Sequence, residues 1–141
     1  RENFDTLEAM AGLAGLEMDM DIARNASTNK AHALFQYARQ KGLGTRMHDR
    51  LQQAAFVEGK VLDDEDTLLH LAGEVGIPAQ EALVALRDPA FFSLAERDNQ
   101  TAAGFGARGV PFFVLNGRLA LSGAQGEGVF INALKQAAAE E

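Results

Sequence analysis

Gly109-Val110-Pro111-Phe112-Phe113-Val114-Leu115-Asn116-Gly117-Arg118-Leu119-Ala120-Leu121-Ser122-Gly123-Ala124-Gln125 is the stretch whose reading decides the fold. Phe112–Leu115 is a short apolar run rich in residues that suit a pleated strand. Asn116-Gly117 is the strongest two-residue hairpin signal, because that turn needs positive φ at both central positions. Arg118-Leu119-Ala120-Leu121 alternates as a return strand does. A loop at Ser122–Gly126 follows. A last helix then carries Val129, Phe130, Leu134 and Ala137 on one face.

Upstream of this hairpin, up to about residue 106, helical periodicity dominates. Asn3 is placed to cap a helix whose face holds Phe4, Leu7, Met10 and Leu13, weakened at its end by Gly12 and Gly15. Leu16, Met18 and Met20 alternate with Glu17, Asp19 and Asp21, which reads as a strand-like or extended stretch. Ser27 or Thr28 caps a helix with Ala31, Leu34, Phe35 and Ala38 inward, ended by Gly42 and Gly44. A further helix from Thr45 turns Met47, Leu51, Ala54, Ala55 and Phe56 inward, up to Gly59. Asp63, Asp64 and Asp66 precede a helix with Leu68, Leu69, Leu71 and Ala72; carboxylates there cap free amides and offset the positive helix end. Gly76 stops it. Pro78 opens a short helix through Leu83, Val84 and Leu86. Asp88-Pro89 reads as a cap followed by proline at the first helical position. The long helix it starts carries Phe91, Phe92, Leu94, Ala95, Ala102 and Phe105, with Gly106 as its stop. The fold class is therefore mostly α with one small antiparallel β-hairpin.

Composition narrows the function. The 141 residues suit one domain, and 47% are apolar, enough for a core. Asp and Glu outnumber Lys and Arg, 20 to 13, for a net charge of −7. That balance argues against nucleic acid and against an anionic membrane surface as partners. There is no cysteine, so no disulfide framework, thiolate metal site or cysteine nucleophile is present in the chain. The opening Arg1–Asp5 is not a signal peptide, and the expected location is cytoplasmic.

Gly109-Val110-Pro111-Phe112-Phe113-Val114, the Asn116-Gly117 turn, Ser122-Gly123-Ala124-Gln125 and the closing helix together resemble the C-terminal half of a thioredoxin fold. They are most similar to the DsbA-type thiol–disulfide oxidoreductases, in the FrnE-like branch. Further back, Gly15-Leu16-Glu17-Met18-Asp19 resembles that branch's extended segment and Asn29-Lys30-Ala31-His32-Ala33-Leu34 its Ala-His helix. Ala55-Phe56-Val57-Glu58-Gly59-Lys60, with Asp63 and Leu68, resembles its helical insert, and Leu71–Gly76 fits too. The resemblance implies three segments. Residues 1–26 are a connecting helix and extended piece, 27–106 the helical insert, and 107–141 the β-β-α half of the thioredoxin fold.

In that family a Cys-x-x-Cys motif at a helix start supplies the thiolate, and a cis-proline loop faces it. The resemblance maps the loop onto Gly109, Val110 and Pro111 as substrate-binding residues, with Val110–Pro111 cis. It also implies that the Cys-x-x-Cys half comes before residue 1. The chain then holds no catalytic residue and is inert alone, as a fragment or N-terminally incomplete form. The parent's partner would be a protein or small-molecule thiol or disulfide. The Phe112–Leu115 strand, interior in the parent sheet, would have a bare apolar edge. Unseen residues, a rearranged helix or a second copy in a homodimer would cover it.

Two other readings stand beside this one. A glutathione-linked isomerase or transferase of the same superfamily uses a serine where the first cysteine stands. A redox-inert module would hold an extended peptide by strand addition. Neither a metal nor a cofactor is expected. His32, His48 and His70 have no compact ligand spacing, and the Asp63–Asp66 run lacks the calcium-loop alternation. Gly104, Gly106 and Gly109 follow a helix and precede a strand, the reverse of a phosphate loop. Arg108 is expected to be solvated. Ser93 and Ser122 have no triad partners. At least one of Phe112 and Phe113 is expected in the core, since strand neighbours face opposite sides.

Overall fold

A computed structural model describes residues 2–139, with side chains from Phe4 onward. Seven helices and two strands follow in order among the described residues. They are α1 (Glu2–Leu13), α2 (Asn29–Gln40), α3 (Gly44–Phe56), α4 (Glu65–Glu74), α5 (Ala79–Arg87), α6 (Pro89–Gly104), β1 (Phe112–Leu115), β2 (Leu119–Ser122) and α7 (Glu127–Ala139). The fold is mostly α with a single antiparallel hairpin, as the sequence indicates. No helix among the described residues is long and apolar enough to cross a membrane. The chain divides into two compact units, Arg1–Ala95 and Glu96–Glu141, and the division falls within α6.

In the first unit α2 packs against α3, α4 and α5, and α4 also meets α3 and α5. Contact with three helices explains why α2 is buried over a wide arc: Ala31, Ala33, Leu34, Gln36 and Ala38. Gln36 is tolerated there because its Oε1 accepts from Arg39 Nη1 at 3.1 Å. Leu34, Met47, Leu68, Leu71 and Ile77 are the largest side chains fully out of water. Each contributes roughly 1.5–3 kcal/mol relative to an exposed position. A smaller cluster joins Ala33, Ala85 and Phe91, with Tyr37 edge-on to Phe91 at 5.4 Å.

Helix starts follow local chemistry. The Asp64 carboxylate accepts from Thr67 N at 2.8 Å, so the expected cap is in place. Asp88 Oδ1 accepts from Ala90 N at 2.9 Å, and Pro89 opens α6. At α2 the cap residue Thr28 makes no side-chain bond; Ser27 Oγ reaches Asn29 N at 3.4 Å instead. The cap expected at Asn3 falls outside the described residues for side chains.

Several expected inward faces are not covered. Phe4, Leu7, Met10 and Leu13 on α1 are all exposed, Leu13 by 91%. Val84, Ala102, Phe105, Val129 and Leu134 are exposed too. Periodicity locates an apolar stripe but does not supply a neighbour to bury it. The alternating stretch at Leu16–Asp21 is not a strand. It is an irregular segment held by two distant anchors, Asp19 N to Phe56 O at 2.8 Å and Met20 N to Glu8 Oε1 at 2.6 Å. Its aspartate closes a local turn, since Asp19 Oδ1 accepts from Asp21 N and Ile22 N.

Ion pairs stitch the first unit together. Arg50 on α3 reaches Glu58 (2.8 Å) beyond its own helix and Glu74 (2.8 Å) on α4. Its hydrogen bond, with a second from Lys60, holds the Glu58 carboxyl below its usual range, and the Arg50 hydrogen bond does the same for Glu74. Tyr37 on α2 donates to Glu81 on α5, which Lys41 also meets at 3.1 Å. The Tyr37 bond and then the Lys41 bond lower the Glu81 pKa.

Candidate functional site

The loop at Gly109–Pro111 is built by what ends before it and what holds it afterwards. At the end of α6, Gly106 N bonds to Ala103 O (2.9 Å) and Ala107 N to Ala102 O (3.1 Å), which closes the helix. Gly109 and Val110 then run without regular structure into β1. The Val110–Pro111 peptide bond is cis. Pro111 O accepts from Gly123 N at 2.9 Å, so the strand entry is tied to the residue that follows β2. Gln125 Nε2 donates to Ser122 O at 2.7 Å and fixes the same corner.

Below the loop, β1 and β2 pair antiparallel, Phe112 opposite Ser122 and Leu115 opposite Leu119. The turn has φ 49° at Asn116 and 67° at Gly117, which is the conformation that Asn-Gly supports. Asn116 has a second task. Its Nδ2 donates to Ala137 O at 2.8 Å and ties the turn to α7. On one face of the hairpin Phe113 meets Phe130 edge-on at 4.9 Å. Phe112 is partly buried and Phe113 is 37% exposed. Neither phenylalanine is fully in a core, which corrects the expectation for this pair: a two-stranded sheet with one helix against it shields its side chains only in part.

Val110 is 95% exposed. Among the described residues nothing hydrogen-bonds to its main chain. Gly109 and Pro111 are exposed beside it. The only strand paired to β1 among the described residues is β2, on one edge. Among the described residues the main chain of Val110 and the other edge of β1 therefore have no strand partner.

The remaining candidates stay apart. With no cysteine in the sequence, no thiolate chemistry originates here. His70 lies 3.8 Å from Glu74, and His48 3.2 Å from its neighbour Asp49. Among the described residues no three metal-ligating side chains converge. Ser93 Oγ donates to Pro89 O at 3.0 Å, a helix-internal bond. Arg108 is exposed. Sequence reasoning found the loop but missed Gly123 as its anchor and Asn116 as the tie to the last helix. The Gly immediately after the return strand was the available signal for the first. Nothing local signalled the second, since Ala137 lies 21 residues on.

The family model described as the DSBA-like thioredoxin domain matches residues 1–135. Among solved structures, the chain is similar to the crystal structure of a probable DsbA oxidoreductase from Streptomyces coelicolor, with 34% identity and a TM-score of 0.87. The match covers 99% of this chain and 61% of that one, so the chain spans about three-fifths of the length of that relative. No curated protein matches.

Proposed function

Since the chain belongs to the DsbA-like thioredoxin domain family, we propose that it is the helical-insert and C-terminal part of a FrnE-like thiol–disulfide oxidoreductase. In this reading Gly109, Val110 and Pro111 hold the substrate, and the redox cysteines come from outside these residues. The observation that carries it is the exposed, unpartnered main chain of Val110 at the head of β1. A substrate segment bonded there lies extended, and its disulfide is then open to a thiolate presented opposite the loop. Pro111, lacking an N–H, donates nothing to a competing strand. The substrate is a protein or small-molecule thiol or disulfide. The bare edge of Phe112–Leu115 accepts a covering strand, whether from the cysteine-bearing half or from a second copy in a homodimer. The reading places the protein in the cytoplasm.

The test is reconstitution. The chain alone should not reduce insulin disulfides. Combined with a thioredoxin half bearing Cys-x-x-Cys it should do so, and Pro111→Ala should lower that turnover several-fold. Full activity in the Pro111→Ala protein would refute the role of the loop. A second reading rests on the same free backbone and the lack of cysteine: a redox-inert module that binds extended peptides. It requires peptide affinity for the chain alone that reductant does not change.

A further inference from the structure

Within the first unit, a cavity of about 390 Å³ opens between α2, α3 and the segments around residues 23–28 and 60–62. Its volume is that of a small-molecule site. Its walls include Phe35, Leu51, Phe56 and Leu62, so the interior is apolar. Its charged lining residues are Arg24 and Lys60, joined by the neutral polar groups of Asn25, Thr28 and Gln52 and by two histidines, His32 and His48. None of the lining residues is Asp or Glu, in a chain where acids outnumber bases 20 to 13. The local charge is thus opposite in sign to that of the whole protein.

The two cations are not equivalent. Lys60 Nζ is shared with Glu58 at 3.1 Å. Arg24 is exposed and has no ion pair or hydrogen bond among the described residues. An unpaired guanidinium beside an apolar cavity is a ready partner for a carboxylate, which it can meet with two parallel hydrogen bonds. We propose that this cavity binds a small amphipathic carboxylate, its apolar body among Phe35, Leu51, Phe56 and Leu62 and its anionic end at Arg24. The site uses no residue of the Gly109–Pro111 loop and does not depend on the oxidoreductase reading.

The probes are octanoate, 1-octanol and octylammonium, titrated against the full 141-residue chain and followed by amide chemical shifts and calorimetry. Octanoate should bind saturably, shift the amides of Ala31, Phe35, Leu51 and Ala55, and bind at least ten-fold more tightly than either of the others. The overall charge of −7 favours octylammonium, so a carboxylate preference must come from the local site. Arg24→Glu, at an exposed position, should weaken octanoate at least ten-fold. Ala55→Phe, which fills the cavity, should abolish binding of all three. Absent or non-saturable shifts in the cavity, equal affinity for the three probes, or an Arg24→Glu protein that binds octanoate unchanged would each overturn the proposal. Should Ala55→Phe fail to fold, the probe series and Arg24→Glu still decide it.

Discussion

Gly59 is where the segment after α3 closely approaches the backbone of Ile22, and replacing it isolates what that approach is worth. Its φ is +62°, and a Cβ built on it would lie 2.8 Å from Ile22 O and 3.2 Å from Ile22 Cβ. Gly42 is the natural comparison, with φ +73° and open space around an added Cβ. At Gly42, alanine meets only the left-handed backbone cost of about 1–2 kcal/mol, reduced by ~0.4–1 kcal/mol because alanine stiffens the unfolded chain. Gly42→Ala should therefore destabilise by about 1 kcal/mol. At Gly59 the contact with a backbone oxygen cannot be relieved by a side-chain rotation. The Ile22 segment must move, at an overpacking cost of about 1–3 kcal/mol. Gly59→Ala should then lose about 2–4 kcal/mol in all. Urea unfolding by circular dichroism measures both. Amide exchange at Asp19, whose N–H bonds to Phe56 O at 2.8 Å, should accelerate only in Gly59→Ala. If the two variants differ by less than roughly 0.5 kcal/mol, the margin for independent sites, the close approach does not exist as described.

Other expectations follow from burial and charge. Leu68→Ala, at a fully buried site, should cost about 2–5 kcal/mol, whereas Leu134→Ala, 54% exposed, should stay within roughly 0.5 kcal/mol; equal losses in thermal unfolding would contradict the core assignment. Arg50 depresses the carboxyl pKa values of Glu58 and Glu74. A depressed folded-state pKa stabilises above the unfolded carboxylate value, and that stability is lost as pH falls through the folded one. The urea midpoint should thus hold above about pH 5 and fall below it, and Arg50→Gln should flatten that acid limb; an unchanged limb would remove the network from the account. Asn116→Ala loses both a tolerant left-handed residue and the bond to Ala137 O, worth together about 1–3 kcal/mol; faster amide exchange in residues 112–122 is the expected sign, and unaltered protection would argue against the tie.

Features whose physics is complete within a few residues were legible in the sequence. Asp64 finds its amide three positions on, Asp88-Pro89 starts α6, and Asn116-Gly117 sets the hairpin. The same local order carried the resemblance to the DsbA-type family, which the family match bears out. Which apolar stripes are covered depends on how the helices pack. The α2 face is buried by three helices, while the α1 stripe of Phe4, Leu7, Met10 and Leu13 is exposed. Nor does the sequence show that the alternating Leu16–Asp21 segment is pinned by Phe56 rather than paired as a strand. The Arg50 network likewise joins residues 8 and 24 positions apart. The cavity beside Arg24 draws its walls from residues 23 to 62. Capping and turn geometry are satisfied by the chain's immediate neighbours, whereas burial and charge pairing depend on partners that only folding brings near.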